Sequence, residues 1–278
     1  MPATWLINGR EHNLAVRGWI MGVLNLTPDS FSDGGRFLDA GRAGAHGLQM
    51  IADGADVLDV GGESTRPGAD PVTPEEELRR VVPVITALRR QTHALISVDT
   101  MKPEIARAAL DSGADIINDV GGMRVPGMIR IAAASQAGVI VMHMRGTPRT
   151  MQSQPRYEDV TGEVRGFFEQ QLEALRKSGI APERIALDPG IGFGKTQEHN
   201  LQLLRTLPAL HTADRPLVVG VSRKSLISHL LEEPGMDKRR WPTVALTAWL
   251  REAGANVLRV HDVKENAEAL RMIEAIHG

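Results

Sequence analysis

The sequence contains no cysteine among its 278 residues. Disulfide bonds and thiolate metal sites are therefore excluded. No uninterrupted apolar run approaches the roughly 18 residues that cross a membrane, and the N-terminal residues lack the basic, apolar and small-residue order of a signal peptide. We therefore expect a soluble cytoplasmic protein that has no membrane partner.

Neither sign of charge is in large excess, because the formal net charge is −2 and no acidic or basic run occurs. A general nucleic-acid surface needs a basic patch, so we expect no nucleic-acid partner. Aromatic residues are scarce at 4%, whereas hydrophobic residues reach 42%. Aliphatic side chains must therefore fill most of the core.

Eight short apolar runs recur along the chain, each followed by a longer stretch with helical periodicity. They are residues 19–25, 57–61, 95–99, 116–120, 139–144, 185–190, 217–222 and 257–262. Their mean spacing of about 34 residues is that of one βα unit. Gly-Ala pairs at Gly54, Gly113 and Gly254 often close the helical stretches, as helix C-caps do.

Near-continuous apolar strands indicate a parallel sheet that is buried on both faces. The pattern therefore predicts an α/β fold, a single (β/α)₈ TIM barrel forming one domain over residues 1–278. An open doubly wound sheet is the alternative, because periodicity alone does not show closure. Alternating apolar positions around Asn8-Gly9 predict an N-terminal β-hairpin within residues 1–17, covering the N-terminal mouth of the barrel.

The stretch IALDPGIGFGKT (185–196) places three alternating glycines and a lysine after an apolar run. A phosphate-binding P-loop would need glycine at position 189, where Pro189 stands, and a dinucleotide fingerprint would need glycine in place of Lys195. Both interpretations fail by one residue. We interpret Lys195 as a solvated loop lysine outside the chemistry.

Polar residues stand at all eight strand ends, where barrel enzymes carry their chemistry. Asp99, Asn118, Asp188 and Lys224 offer the acceptors, amide and cation that suit a flat heterocycle with an aminopyrimidine edge. A second, cationic group suits a phosphate or pyrophosphate and consists of Arg66, Arg259 and His261. A surface salt bridge is the alternative for Arg66, and a core position is the alternative for His261; the role of His143 stays open.

At this point the chain resembles the dihydropteroate synthase family over nearly its whole length. The matching stretches, in order, are residues 22–35, 54–67, ISVDT (96–100), IINDV (116–120), MHMRGTPRTMQ (142–152), LDPGIGFGK (187–195), VSRKS (221–225) and RVHDV (259–263). The resemblance implies a pterin-binding TIM barrel. It also implies a transferase of folate biosynthesis, a sulfonamide target, that joins 6-hydroxymethyl-7,8-dihydropterin pyrophosphate to 4-aminobenzoate and releases pyrophosphate.

The resemblance also implies roles for individual residues. Asp99, Asn118, Asp188 and Lys224 would hold the pterin, with Met142 and Gly220 packed nearby. Asn25 would help to bind Mg²⁺ together with the pyrophosphate, which Arg259 and His261 would contact. Asp33 and Arg66 would come from two loops that close over the site, and the aminobenzoate pocket would be lined by Thr65, Pro67, Phe193 and Ser225.

Two segments depart from the family pattern, Gly121–Pro126 and Trp241–Thr243. The family commonly forms homodimers through its C-terminal helices, and the apolar positions in VALTAWLREAG (244–254) fit that role as well as core packing. Two rival functions are a pterin-binding methyltransferase and a non-catalytic pterin-binding homologue. A methyltransferase has no reason to keep the Thr65-Arg66-Pro67 and Ser222–Ser225 stretches, since it handles neither pyrophosphate nor aminobenzoate.

Overall fold

The computed structural model of the chain describes residues 3–27, 36–64, 68–232 and 235–277. Two N-terminal strands, β1 (Thr4–Ile7) and β2 (Arg10–Asn13), pair antiparallel. Eight parallel strands follow: β3 (Trp19–Asn25), β4 (Val57–Gly61), β5 (Leu95–Asp99), β6 (Ile116–Asp119), β7 (Gly138–Met142), β8 (Ile185–Asp188), β9 (Val218–Val219) and β10 (Val257–Val260). All eight apolar runs of the sequence are therefore strands, as predicted.

The eight strands curl into a barrel that is nearly closed. Their order in the sheet is β8-β7-β6-β5-β4-β3-β10-β9. The two end strands meet at one bridge between Leu187 and Leu217, where the Leu187 N–H donates to the Pro216 carbonyl at 2.8 Å. This closure confirms the (β/α)₈ TIM barrel and removes the alternative of an open sheet.

Helices surround the barrel. Those within the described ranges are α1 (Arg36–Ala52), α2 (Pro74–Arg89), α3 (Pro103–Asp111), α4 (Pro126–Ala133), α5 (Val160–Lys177), α6 (Gln197–Arg205), α7 (Ser225–Leu231), α8 (Arg240–Glu252) and α9 (Val263–His277). α2, α3 and α4 begin with proline, whose fixed φ suits a first helical turn. The predicted glycine C-caps are confirmed, because Gly54, Gly113 and Gly254 have φ values of 106°, 107° and 99°.

The predicted hairpin covers the N-terminal mouth of the barrel. Asn8 and Gly9 both have positive φ, as the tight hairpin turn requires. The buried Trp5 side chain packs in a cluster that includes residues from the first half of seven barrel strands, Trp19, Met21, Val57, Ile116, Ile140, Ala186, Val218 and Val257. The Trp5 indole N–H donates to the Arg184 carbonyl at 2.8 Å. This end of the barrel is therefore sealed by apolar side chains.

No helix within the described ranges is long and apolar enough to cross a membrane. The organisation of residues 1–278 as a single domain stays a prediction.

Candidate active site

A cavity of about 510 Å³ opens at the C-terminal ends of the barrel strands. Its volume is in the range of small-molecule binding sites. Its lining residues are Asn25, Thr27, Glu63, Ser64, Asp99, Met151, Gln152, Gly192, Phe193, Gly220, Ser222, Arg223, Lys224, Ser225, Met236, Arg239, Arg259 and His261. The structure therefore brings together eight of the predicted site residues, while Asn118, Met142 and Asp188 are buried and do not line the cavity.

Arg259, on β10, forms the ionic centre of the cavity floor. Its Nε donates to Asp59 Oδ2 at 2.6 Å and its Nη2 donates to Asp99 Oδ2 at 2.7 Å. Asn118 Nδ2 donates to the same Asp59 oxygen at 3.1 Å. Four strands, β4, β5, β6 and β10, thus contribute one polar group each to a single hydrogen-bonded cluster.

The protein only partly satisfies this cluster. Asp59 Oδ1 and Asp99 Oδ1 are buried, and neither has a hydrogen-bond partner within the described part of the chain. Burial raises the pKa of Asp99 to about 7, although the Arg259 guanidinium acts in the opposite direction. Burial would lower the pKa of Arg259, but Asp59 and Asp99 outweigh it and raise that pKa. A buried carboxylate oxygen without a partner calls for a ligand that donates a hydrogen bond.

Asp188 and Lys224 form a second pair of opposite charge, from the end of β8 and the start of α7. Asp188 Oδ1 accepts a hydrogen bond from Gly190 N at 2.7 Å, and burial raises the pKa of Asp188 while Lys224 opposes that shift. Burial lowers the pKa of Lys224 to about 8, and Asp188 acts against it. Lys224 Nζ also donates to the Ile191 carbonyl and lies 4.8 Å from the centre of the Phe193 ring.

An apolar wall adjoins these charged groups. Met142 packs in a cluster with Val120, Met144 and Met151, and the Phe193 side chain lies against this cluster. Gly220 is part of the opposite wall, where a Cβ atom would stand 3.8 Å from Lys224 Nζ. A flat ring would therefore meet carboxylates at its edge and thioether and aromatic side chains on its faces.

His261 and Asn25 line the same cavity as Arg259. The Nδ1 atom of His261 is 3.0 Å from the Ser222 hydroxyl, and the His261 N–H donates to the same hydroxyl at 3.2 Å. Asn25, the last residue of β3, lies beside Gly61 and Asp99. A cation, an imidazole and an amide thus face one region, which suits an anionic group.

Asn25 supplies one neutral oxygen, and the described residues contain no group of three His, Cys, Asp or Glu side chains placed to hold a metal. Mg²⁺ keeps several waters and is often held by one or two protein groups together with substrate phosphates. The described donors therefore fit a magnesium ion that enters with a diphosphate, and by themselves they do not form a complete metal site.

The glycine loop 189–194 corrects the interpretation of Lys195. This side chain is only 2% exposed. Its Nζ contacts His143 Nδ1 at 3.0 Å, and it donates to the Gly190 and Phe193 carbonyls at 3.0 Å each. The prediction of a solvated loop lysine was wrong, because the sequence shows the residue type but not the ring of carbonyl oxygens that the loop folds around it.

Sequence reasoning also missed several residues of the site, among them Asp59, Met236 and Arg239. Asp59 was counted within an apolar run, although a carboxylate in the middle of VLDVG was a usable signal. Met236 and Arg239 reach the cavity from the segment before α8, and nothing in their pattern indicated this. Four predicted residues, Asp33, Thr65, Arg66 and Pro67, lie outside the residues that the structure describes.

Comparison with known proteins identifies the family. The sequence model of the family described as "Pterin binding enzyme" matches residues 21–261. The dihydropteroate synthase of Escherichia coli K12 is 48% identical over 256 residues, which are 92% of this chain and 90% of the relative. The chain belongs to the dihydropteroate synthase family. It is therefore a transferase of folate biosynthesis.

Solved structures of family members agree with the whole fold. The dihydropteroate synthase of Xanthomonas albilineans, solved with 4-aminobenzoic acid, is 43% identical, with a TM-score of 0.93 over 100% of this chain and 99% of that one. The Yersinia pestis dihydropteroate synthase, solved as a sulfonamide drug complex, is 42% identical, with a TM-score of 0.92 over 99% of both chains.

The first segment that departs from the dihydropteroate synthase pattern is a tight turn closed on Asp119. The two oxygens of this carboxylate accept hydrogen bonds from Gly121 N at 2.7 Å and from Met123 N at 2.8 Å. Gly122 has a φ of 74°, and a Cβ atom there would stand 2.7 Å from the Met142 carbonyl oxygen, so only glycine fits. Asp119 is thus occupied by the turn, which lies directly behind the apolar wall of the cavity.

The second departing segment lies in the first turn of α8. Pro242 stands where its missing N–H is tolerated, and the buried Thr243 hydroxyl donates to the Arg239 carbonyl at 2.7 Å. The change leaves this turn intact and joins it to a residue that lines the cavity.

Proposed function

We propose that this chain condenses 6-hydroxymethyl-7,8-dihydropterin pyrophosphate with 4-aminobenzoate, giving 7,8-dihydropteroate and pyrophosphate, through the residue roles below. The observation that carries the proposal is the buried Asp59–Arg259–Asp99 cluster beside Asp188 and Lys224, at the floor of a cavity with an apolar wall. This arrangement offers acceptors for the N–H groups of an aminopyrimidine and a cation for its carbonyl side.

In this proposal the pterin lies between the Asp99–Asn118 side and the Asp188–Lys224 side of the cavity. Asp99 Oδ1 accepts a pterin N–H, which supplies the partner that this buried oxygen lacks within the described residues. Gly220 lines the cavity that takes the ring, and Met142 packs behind it against Met151 and Phe193, which do line it. Because two carboxylates flank the ring, positive charge on the pterin is favoured there.

The reaction breaks the bond between the pterin methylene carbon and the pyrophosphate oxygen. The electron pair leaves with the pyrophosphate, and the remaining cation is delocalised into the electron-rich pterin ring. The neutral amine of 4-aminobenzoate then attacks the methylene carbon and loses a proton to water. The protein therefore needs charge stabilisation more than acid–base catalysis, with Asp99, Asp188 and Asp33 on the side of the cation.

The leaving pyrophosphate would be bound by Arg259 and His261, with Asn25 holding Mg²⁺ against the pyrophosphate oxygens. When bound, Mg²⁺ would neutralise the charge that grows on the leaving group. Arg259 would then exchange part of its contact with Asp59 and Asp99 for phosphate oxygens. Its planar fork and partial exposure at the cavity floor allow it to contact both sides.

The second substrate, 4-aminobenzoate, would lie beside Phe193 and Ser225, which line the outer part of the cavity. Phe193 supplies a ring face, and Ser225 supplies a hydroxyl at the beginning of α7 for the carboxylate. Thr65, Arg66 and Pro67 complete this pocket in the proposal. Sulfonamides, which share the aminobenzene shape, would compete for the same place.

The test is pyrophosphate release by the purified chain with the pterin substrate, with and without 4-aminobenzoate. Release that depends on both substrates supports the synthase. A methyltransferase would release none, and an inert pterin-binding module would bind the pterin without turnover. In the same assay Arg259→Met should lower kcat/KM by about 10²–10³-fold, the usual loss for one group that stabilises developing negative charge. Unchanged kcat/KM would remove Arg259 from the mechanism.

A homodimer through the C-terminal helices also belongs to the proposal. α8 and α9 pack together and expose Trp249, Met272 and Ile276, which are 43%, 65% and 73% accessible. Exposed large apolar side chains on these two helices are suited to burial against a second copy. Sedimentation equilibrium measures the mass directly, and a monomer at all concentrations would contradict the dimer. The cytoplasmic location stays a prediction.

A further inference from the structure

The glycine loop 189–194 has no regular secondary structure, yet side chains bind each carbonyl in its centre. The Gly190 and Phe193 carbonyls accept from Lys195, and the Ile191 carbonyl accepts from Lys224. The Gly192 carbonyl accepts from Gln152 at 2.8 Å, and the Gly194 carbonyl accepts from Tyr157 at 2.8 Å. Five successive carbonyls are thus held from outside the loop backbone, and Lys195 holds two of them.

Lys195 also joins the loop to the neighbouring strand end through hydrogen bonds. Besides the two loop carbonyls, its Nζ lies 3.0 Å from His143 Nδ1 and 3.3 Å from the His143 carbonyl. His143 directly follows β7, and its backbone N–H donates to the Asp188 carbonyl at 2.9 Å. The ammonium therefore stands where β7, the end of β8 and the glycine loop meet.

The charges around Lys195 define its chemical state. All four contacts are acceptors when the His143 ring is neutral with its proton on Nε2, and an ammonium can donate to three of them at a time. Burial, together with the positive charge of Lys195, lowers the pKa of His143 to about 2, so the ring is neutral at physiological pH. Burial lowers the pKa of Lys195 to about 7, with Asp188 acting in the opposite direction. Near neutral pH the group is therefore divided between an ammonium with three donors and an amine with two, and both forms can donate to the loop carbonyls.

Two residues of the glycine loop form part of the cavity lining. Phe193 and Gly192 line the cavity, whereas Lys195 lies below them and does not. Gly190 and Gly192 have positive φ, and a Cβ atom on Gly190 would stand 2.0 Å from the His143 carbonyl oxygen. The loop is therefore pressed against the end of β7, and its path at Phe193 depends on the carbonyls that Lys195 binds.

We propose that Lys195 is a positioning residue for the second substrate: it folds the glycine loop around its Nζ atom and fixes the Phe193 ring at the 4-aminobenzoate pocket. This inference rests on the proposed place of 4-aminobenzoate beside Phe193. The pterin side of the cavity includes the Asp59–Arg259–Asp99 cluster, which Lys195 does not contact, whereas the glycine loop reaches Asp188 and Lys224 through Gly190 N and the Ile191 carbonyl. Loss of Lys195 therefore affects the two substrates unequally.

The test replaces Lys195 by methionine, which keeps the length and removes every donor. In Lys195→Met we expect KM for 4-aminobenzoate to rise by about 10- to 100-fold, because the variant loses the hydrogen bonds that position Phe193 in the pocket. The dissociation constant of the pterin pyrophosphate, measured by calorimetry without 4-aminobenzoate, should stay within about twofold of the parent value, because the hydrogen bonds of Lys195 go to His143 and to loop carbonyls. A twofold change is smaller than the effect of losing one hydrogen bond. Lys195→Gln keeps two donors, so its KM for 4-aminobenzoate should lie between the values of the parent protein and of Lys195→Met.

Arg184→Met is the matched control. Arg184 is also a buried cation that binds backbone carbonyls, donating to Ala137 at 2.9 Å and to Ala132 at 2.8 Å, but it lies beside Trp5 at the other end of the barrel. It should lower the melting temperature and leave KM for both substrates unchanged. A purely structural Lys195 would give the same result, and that outcome overturns the proposal.

Two further outcomes are decisive. If Lys195→Met does not fold, Lys195→Gln and Tyr157→Phe, which removes the donor to Gly194, should still raise KM for 4-aminobenzoate selectively. Unchanged KM in both, or an equal loss for both substrates, overturns the positioning role. A parent protein with no 4-aminobenzoate-dependent pyrophosphate release would instead contradict the proposed function itself.

Discussion

The two ends of the barrel are built on opposite principles. At the N-terminal mouth, Trp5 and its apolar neighbours fill the opening, and the buried cation Arg184 gives its hydrogen bonds to backbone carbonyls. At the C-terminal end, Asp59 and Asp99 are buried with one oxygen each unpartnered within the described residues. One end thus gains stability from a satisfied interior, and the other keeps unused hydrogen-bonding capacity for a ligand.

The largest expected effect is the loss of stability when the sealed end is disrupted. Trp5→Ala removes a fully buried indole from the cluster that closes the mouth, and it should lower the free energy of unfolding by about 3–5 kcal/mol. Urea denaturation gives the stability change. Below the unfolding transition kcat/KM should match the parent enzyme, and a folded but inactive variant would show that the two ends are coupled.

A smaller effect, on kcat/KM, is expected when one of two aspartates three residues apart is replaced. Asp59→Asn removes the charged acceptor shared by Arg259 Nε and Asn118 Nδ2 and leaves Arg259 with Asp99 alone. We therefore expect kcat/KM to fall by about 10- to 100-fold, as for a lost charged hydrogen bond of roughly 1.5–3 kcal/mol. Asp56 faces the other end and accepts from Ile20 N at 2.9 Å. Asp56→Asn should change kcat/KM little, and equal losses in both variants would contradict the division between the ends.

The smallest effect is a pH dependence of pterin binding. In the ligand-free protein Asp99 keeps its proton up to about pH 7, whereas an ordinary aspartate loses it near 3.8. The stability contributed by the protonated form is therefore lost as the pH rises through about 7. Because the pterin N–H needs the ionised carboxylate, pterin affinity should rise by up to about tenfold per pH unit below pH 7 and level off above it.

Calorimetric titration of the pterin substrate from about pH 5.5 to pH 8.5, a range that brackets the raised pKa, measures this effect. Asp99→Asn should bind weakly and lose the dependence. If the pterin affinity of the parent protein does not change with pH below 7, Asp99 does not accept a hydrogen bond from the pterin N–H.

The sequence predicted the outline of both ends of the barrel. Apolar runs mark buried strands, and in a parallel barrel all strand ends of one kind meet at one rim, so the order of motifs was enough to bring Asp99, Lys224 and Arg259 together. The hairpin around Asn8-Gly9 followed from local turn chemistry alone.

The errors concern residues whose role depends on their surroundings. Asp59 lies inside a strand, so only its partners, Arg259 and Asn118, distinguish it from a defect in an apolar run. Lys195 follows three glycines, a composition typical of exposed loops, yet positive φ at Gly190, Gly192 and Gly194 turns the carbonyls inward. Periodicity carries no information about the direction of a loop carbonyl, so neither residue was predicted.

The two end strands of the sheet, β8 and β9, are joined by the single bridge at Leu187 and Leu217, and β9 is only two residues long. The barrel wall therefore has a seam with fewer backbone hydrogen bonds than any other neighbouring pair of its strands. Asp188 ends one side of this seam, and Lys224 follows the other. A pterin held by both residues, as proposed, would act as a crosslink across the seam and would close the barrel in part.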